Sequence, residues 1–180
     1  FHANGGNAAF SVMANTLRGV YGTDVLLATA NSFTGSVLQA DYNQKMAASM
    51  IMPNGLMSRQ RTMTGAELKE TVHAFVEGCE GGFIPFNRGS LPVVSGISME
   101  VKEDGDGYTL TNVKKDKKAI KDDDTFTVMC LATKKHMEPF LSSEGDMFEG
   151  GETFVKDTWT NYVLGDDAVL AEPESYITLR

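Results

Sequence analysis

The chain has 180 residues, of which 42% are hydrophobic, enough for one domain with a sizeable core and too apolar for long disorder. A formal charge of −8 and a pI near 4.8 exclude the dense cationic surface of a nonspecific nucleic-acid binder, so no DNA or RNA polymer is expected as partner. No apolar run approaches bilayer length. No internal repeat or long linker demands a second domain, so residues 1–180 are read as one.

Asn7 is placed to cap a helix over 8–20, with Phe10, Met13, Ala14, Leu17 and Val20 on one face. Gly22 stops it, and residues 24–30 (DVLLATA) read as a buried strand. A loop follows over 31–36. Asp41 is expected to cap a short helix reaching Met50, and Pro53, Asn54 and Gly55 turn the chain. Residues 56–63 alternate in character, which predicts a strand carrying Arg59 and Arg61 on one face.

Thr64 and Glu67 have the S/T-x-x-E spacing of a capping box. Beyond them Leu68, Val72, Phe75 and Cys79 recur at helical spacing, predicting a helix over 65–78. Residues 80–89 form an aromatic, Gly-rich loop, and 92–101 begin a strand-rich half. Residues 103–107 (EDGDG) read as a turn, then 108–113 and 125–131 as strands, with a solvated lysine- and aspartate-rich hairpin between them. A short helix is expected from Thr133 toward Leu141, a polar loop over 142–153, a helix over 154–164 carrying Trp159 and Tyr162, and a final strand over 176–179. The pattern implies an α+β fold, mixed β-sheet layers flanked by helices.

Chemistry-bearing residues are sparse. His2, His73 and His136 are dispersed and form no HExxH-like spacing, so no metal ligand is assigned. Asp104 and Asp106 lack the remaining oxygen ligands of an EF-hand loop and are read as a turn, as are Asp122, Asp123 and Asp124. Cys79 and Cys130 make no CxxC. Two buried thiols are preferred, and a mutual disulfide is compatible with the sequence. Ser95 is not in a G-x-S-x-G elbow, and no Ser–His–Asp or Cys–His set is apparent, so no catalytic residue is assigned. Arg59 and Arg61 suit a phosphate or carboxylate, or equally an exposed sheet face. Phe33, Phe83, Phe86 and Phe140 lie in loop-like contexts where a ring can stack on a planar base or plug a core.

The ordered pieces DVLLATAN (24–31), GSVLQADY (35–42), MPNG (52–55), MTGAEL (63–68), VSGI (94–97) and DDDTFTV (122–128) resemble the C-terminal domain of secreted 5′-nucleotidases and UDP-sugar hydrolases. That resemblance implies a substrate-recognition domain of an exported phosphoester hydrolase acting on nucleotides or related phosphoesters. It implies a 5′-nucleotidase C-terminal-like fold in an extracytoplasmic setting, periplasmic, secreted or wall-attached. Divalent metals belong, in the family, to an N-terminal metallophosphoesterase domain of the same chain, and none is expected in this one. The opening at Phe1, without an initiator Met, is read as that of a cut fragment or a processed product. Asn31, Phe33, Arg59, Arg61, Arg88 and Phe140 are the substrate-binding candidates. The family's Asn-x-Gly-x-Arg segment is matched only at Asn31, since residues 32–35 (SFTG) supply no arginine. This departure motivates the alternative, a noncatalytic surface or interaction domain on the same scaffold.

Overall fold

The computed structural model describes residues 8–33, 41–52, 55–80, 92–105, 107–132, 154–174 and 176–179. The continuous apolar run becomes β1 (Val25–Thr29), a strand buried on both faces. Val25 and Leu27 enter one core cluster while Leu26 and Ala28 enter another. The strand therefore divides the molecule into two apolar layers.

β1 lies in a four-stranded sheet of order β2-β7-β1-β3, with β2 at Met57–Thr64, β3 at Pro92–Ser95 and β7 at Thr125–Ala132. β7 runs parallel to β1, while β2 and β3 pair antiparallel on the flanks. On one face lie α1 (Ala8–Tyr21), α2 (Gln44–Ser49) and α4 (Val155–Val163). Met13, Leu17 and the fully buried Trp159 pack there against Leu26, Met129 and Leu131. On the other face α3 (Gly65–Glu80) brings Leu68, Val72, Phe75 and Val76 onto Val25, Leu27, Val128 and Cys130.

Behind α3 stands a second sheet, order β6-β5-β4-β8, built from β4 (Ser98–Asp104), β5 (Gly107–Lys115), β6 (Lys118–Ala119) and β8 (Ile177–Leu179). Its Met99, Val101 and Ile177 complete the α3 cluster. This is the mixed α+β architecture expected from the sequence pattern.

Local signals account for most boundaries. α1 ends in a Schellman motif, with Thr23 N–H donating to Arg18 O and Gly22 N–H to Gly19 O, and Gly22 at φ +64°. The capping box of α3 forms in both directions. Glu67 N–H donates to Thr64 Oγ1 at 3.2 Å, and Thr64 N–H donates to Glu67 Oε2 at 2.8 Å. Asp116 and Lys117 take positive φ at the two-residue turn between β5 and β6, as a primed hairpin turn requires.

Three expectations are corrected. Asn43, not Asp41, caps α2, its Oδ1 accepting from Met46 N–H at 3.0 Å. Residues 92–101 are two strands rather than one. Gly96, at φ +94°, sends β3 and β4 into different sheets, and a Cβ there would lie 2.1 Å from Asp24 O. α3 continues to Glu80, past the expected stop at 78. The expected cap Asn7, the turn residues Pro53 and Asn54, the loop at 81–89, the helix expected from Thr133 and the loop at 142–153 lie outside the described residues, as do His2 and His136.

Candidate functional site

The parallel pair β1 and β7 gives the first sheet a polarity, and ligands of open α/β sheets gather where parallel strands finish. At that end β1 runs into a single 3-10 turn, Ala30–Ser32, and Phe33 then bridges Ile51. Met52 N–H donates to Ser32 O at 2.9 Å, and Val155 N–H donates to Leu56 O at 3.0 Å. Phe154 bridges Met57 at the start of β2.

Asn31 is exposed at this end. Phe33 is also there, but only 5% of it is accessible, and its ring packs on Phe10 with centroids 6.4 Å apart. That contact belongs to the α1 layer. Arg59 lies opposite Cys130 in the β2–β7 register, so both point to the α3 side of the sheet. It is half-buried, and no hydrogen bond or ion pair joins its guanidinium to another described residue. Phe33 and Arg59 thus reach the same end from opposite faces.

Arg61 is two residues further from that end, opposite Val128. Its Nη2 lies 3.3 Å from Glu67 Oε1. Bonds from the Thr64 N–H and hydroxyl, with the Arg61 guanidinium beyond them, hold the Glu67 carboxyl below its usual range. Arg61 therefore serves the α3 cap as well as facing outward. Arg88 and Phe140 lie outside the described residues.

Among the described residues the exposed aromatic at this end is Phe154, 45% accessible, with Met52 49% accessible. Sequence reasoning treated Phe154 only as the start of a helix. The available signal was an aromatic in place of the usual polar N-cap, which leaves α4 with no side-chain cap.

Cys130 is a free buried thiol, and burial pushes its pKa up to about 12. It is therefore inert as a nucleophile beside Arg59. His73 Nε2 makes a 2.7 Å bond with Tyr108 O and lies 3.5 Å from Glu77 Oε1, so it links α3 to β5. Among the described residues no group of three or more His, Cys, Asp or Glu side chains converges to hold an ion. None of the helices in that set is long and apolar enough to cross a membrane.

No protein-family profile matches the chain, and neither does any curated protein. Solved structures do match in fold. A 5′-nucleotidase precursor from Thermus thermophilus superposes with a TM-score of 0.67 at 14% identity, over 96% of this chain and 34% of the other. The NAD nucleotidase of Haemophilus influenzae gives 0.68 at 17% identity, over 99% and 36%. A sulfate thiohydrolase from Thermus thermophilus, in complex with glycerol, gives 0.67 at 12% identity, over 96% and 32%. The chain spans about a third of the length of each. These likenesses establish the fold, that of 5′-nucleotidase C-terminal domains. The same fold occurs in a thiohydrolase, so it does not by itself specify a substrate.

Proposed function

We propose that this chain is the substrate-recognition domain of an exported 5′-nucleotidase-like phosphoester hydrolase. Its substrates are nucleotides or related phosphoesters, and its surroundings are extracytoplasmic. In this reading residues 1–180 form one domain of a longer protein, and an N-terminal metallophosphoesterase domain of the same chain holds divalent ions that activate water. The observation that carries the reading is the fold correspondence, over nearly all of this chain but only about a third of each structure matched.

The recognition surface is the finishing end of β1 and β7. Arg59 supplies a guanidinium for a phosphate, Asn31 an amide for sugar or base, and the exposed ring of Phe154 an apolar face. Arg88 and Phe140, which lie outside the described residues, stay in the candidate set with Phe33 and Arg61.

Isothermal titration with AMP, UMP and a UDP-sugar tests the reading. At least one is expected to bind, and Arg59→Ala is expected to weaken it about 10-fold or more, the size of a charge-assisted bond. Absence of binding by all three, with the fold intact, overturns the nucleotide version. The second reading is a noncatalytic surface or interaction domain. It is favoured by the absence of arginine at residues 32–35, the engagement of Arg61 with Glu67 and the burial of Phe33. Divalent-dependent nucleotide hydrolysis by the full-length protein excludes it.

A further inference from the structure

After α4 the chain turns at Gly165 and runs back along α1 without regular secondary structure until β8. Along residues 169–174 its hydrogen bonds to the helices use main-chain atoms, while the Leu170 side chain packs on the α1 layer. Tyr162 Oη donates to Val169 O at 2.8 Å and accepts from Val169 N–H at 3.2 Å. Ala171 N–H donates to Thr16 Oγ1 at 3.0 Å, and Asn15 Nδ2 donates to Glu172 O at 3.0 Å. Ser11 Oγ donates to Glu174 O and accepts from Glu174 N–H, both at 2.7 Å. Ser11 and Asn15 are one helical turn apart on one face of α1, and Thr16 meets the strap from beside them, so the three make a polar stripe along it.

The stripe is organised from beneath. Arg18 Nε donates to Ser95 Oγ at 2.9 Å, and Ser95 Oγ donates to Asn15 Oδ1 at 2.6 Å. The Asn15 amide is thereby oriented with its nitrogen toward the strap. Asn15, Thr16 and Ser95 are buried. Polar residues are costly at such positions unless each finds a partner.

Beyond the strap, Met99 N–H donates to Tyr176 O at 2.8 Å, and β8 adds parallel to β4 at the edge of the second sheet. Ile177 is 1% accessible and enters the α3 cluster. Main-chain pairing with apolar anchors, here Leu170 and Ile177, is how proteins bind extended peptides by strand addition. Pro173 restrains the segment and lowers the cost of ordering it.

The geometry points to a peptide-binding groove between α1 and the β4 edge, filled in cis by the chain's own terminal segment. Its ligand class is an extended peptide held by main-chain bonds, with branched apolar residues at the positions of Leu170 and Ile177. This inference is independent of the nucleotide reading.

The test uses the folded chain with a specific protease site in the exposed turn after α4, at Gly165, Asp166 and Asp167. After cleavage the terminal fragment is expected to stay bound and to exchange with a labelled synthetic peptide of residues 169–180, saturating at one per chain. A peptide carrying Ile177→Asp is expected to bind at least about 10-fold more weakly, from the lost apolar burial. Peptides carrying Glu172→Gln or Ala171→Ser keep their affinity within about 3-fold, because those side chains make none of the bonds that define the groove. Ser11→Ala in the cleaved protein weakens binding of the unmodified peptide about 10-fold. Unfolding on cleavage overturns the proposal, because the segment would then be integral to the core. Failure of the labelled peptide to exchange also overturns it, as does affinity governed by the Glu172 side chain.

Discussion

Where β1 and β7 begin, side chains and main chain of several elements are bonded to one another, whereas where they finish Ser32 meets Met52 and Leu56 meets Val155 main chain to main chain, the Thr29 and Ser32 hydroxyls lie 3.5 Å apart, and several side chains face outward. At the starting end Asp24 Oδ2 accepts from Thr127 N–H and Thr127 Oγ1, each at 2.9 Å, and Lys115 Nζ lies 3.4 Å from Asp24 Oδ1. Gly65 N–H donates to Asp124 O at 2.7 Å and Ala66 N–H to Asp122 O at 3.1 Å, so the turn before β7 satisfies the first donors of α3. At the finishing end Asn31, Met52 and Phe154 are exposed. The contrast teaches that one end of the sheet is committed to holding the fold, while the proposed recognition surface lies at the other.

The largest expected effect is at Gly65. A Cβ there would lie 1.9 Å from Lys121 O, a main-chain atom that cannot swing aside. Gly65→Ala is therefore expected to cost about 3 kcal/mol in urea unfolding, the upper range for overpacking. A change below about 0.5 kcal/mol would break the claim that the starting end is rigid.

Thr64→Ala removes one half of the capping box and is expected to cost about 1 kcal/mol by the same measurement. It also removes a hydroxyl bond to Glu67, so the Glu67 carboxyl should titrate closer to its ordinary value when followed by carbon-detected NMR.

Asp24 gives a pH signature. Burial pushes its carboxyl up, but the Thr127 N–H and hydroxyl and the Lys115 ammonium overcome this and hold it below its ordinary value. The unfolded chain then takes up the proton first on acidification. The stabilisation is complete above the unfolded value, about pH 4, and is lost as pH falls through the folded value. Thermal unfolding of Asp24→Asn should accordingly show a shallower loss of Tm below about pH 4 than the parent chain. An unchanged slope would show that other carboxylates carry the acid response.

The smallest expected effect on stability is at Arg59. With no described partner, Arg59→Ala is expected to stay within about 0.5 kcal/mol in urea unfolding. A larger loss would make Arg59 a structural residue and sharpen the case against a ligand role.

How much of this was legible in the sequence follows the same division. The α3 cap could be read because Thr64 and Glu67 satisfy each other within one turn of chain. The β1 run could be read because a strand buried on both faces is continuously apolar. The break at Gly96 could not, because the close approach of Asp24 O is a tertiary fact and 92–101 is apolar on both sides of it. Asp41 and Asn43 are both competent caps, and only the chain's path chooses between them. At the candidate site, the sequence placed Phe33 in a loop without showing that its ring would pack on Phe10. It also paired Arg59 with Arg61 on one face, correctly, without showing that Glu67 reaches only the second. Phe154 escaped notice because an aromatic at the N-cap marks a missing polar cap without showing that the ring is exposed beside Met57.

Heteronuclear NMR of the 180-residue chain during titration with AMP, UMP and a UDP-sugar tests the central claim most directly. Saturable shifts are expected at Asn31, Met52, Arg59 and Phe154, with Thr64, Gly65, Asp24 and Thr127 unmoved. Shifts centred on the start of α3, or no saturable shift with any of the three ligands, would contradict it.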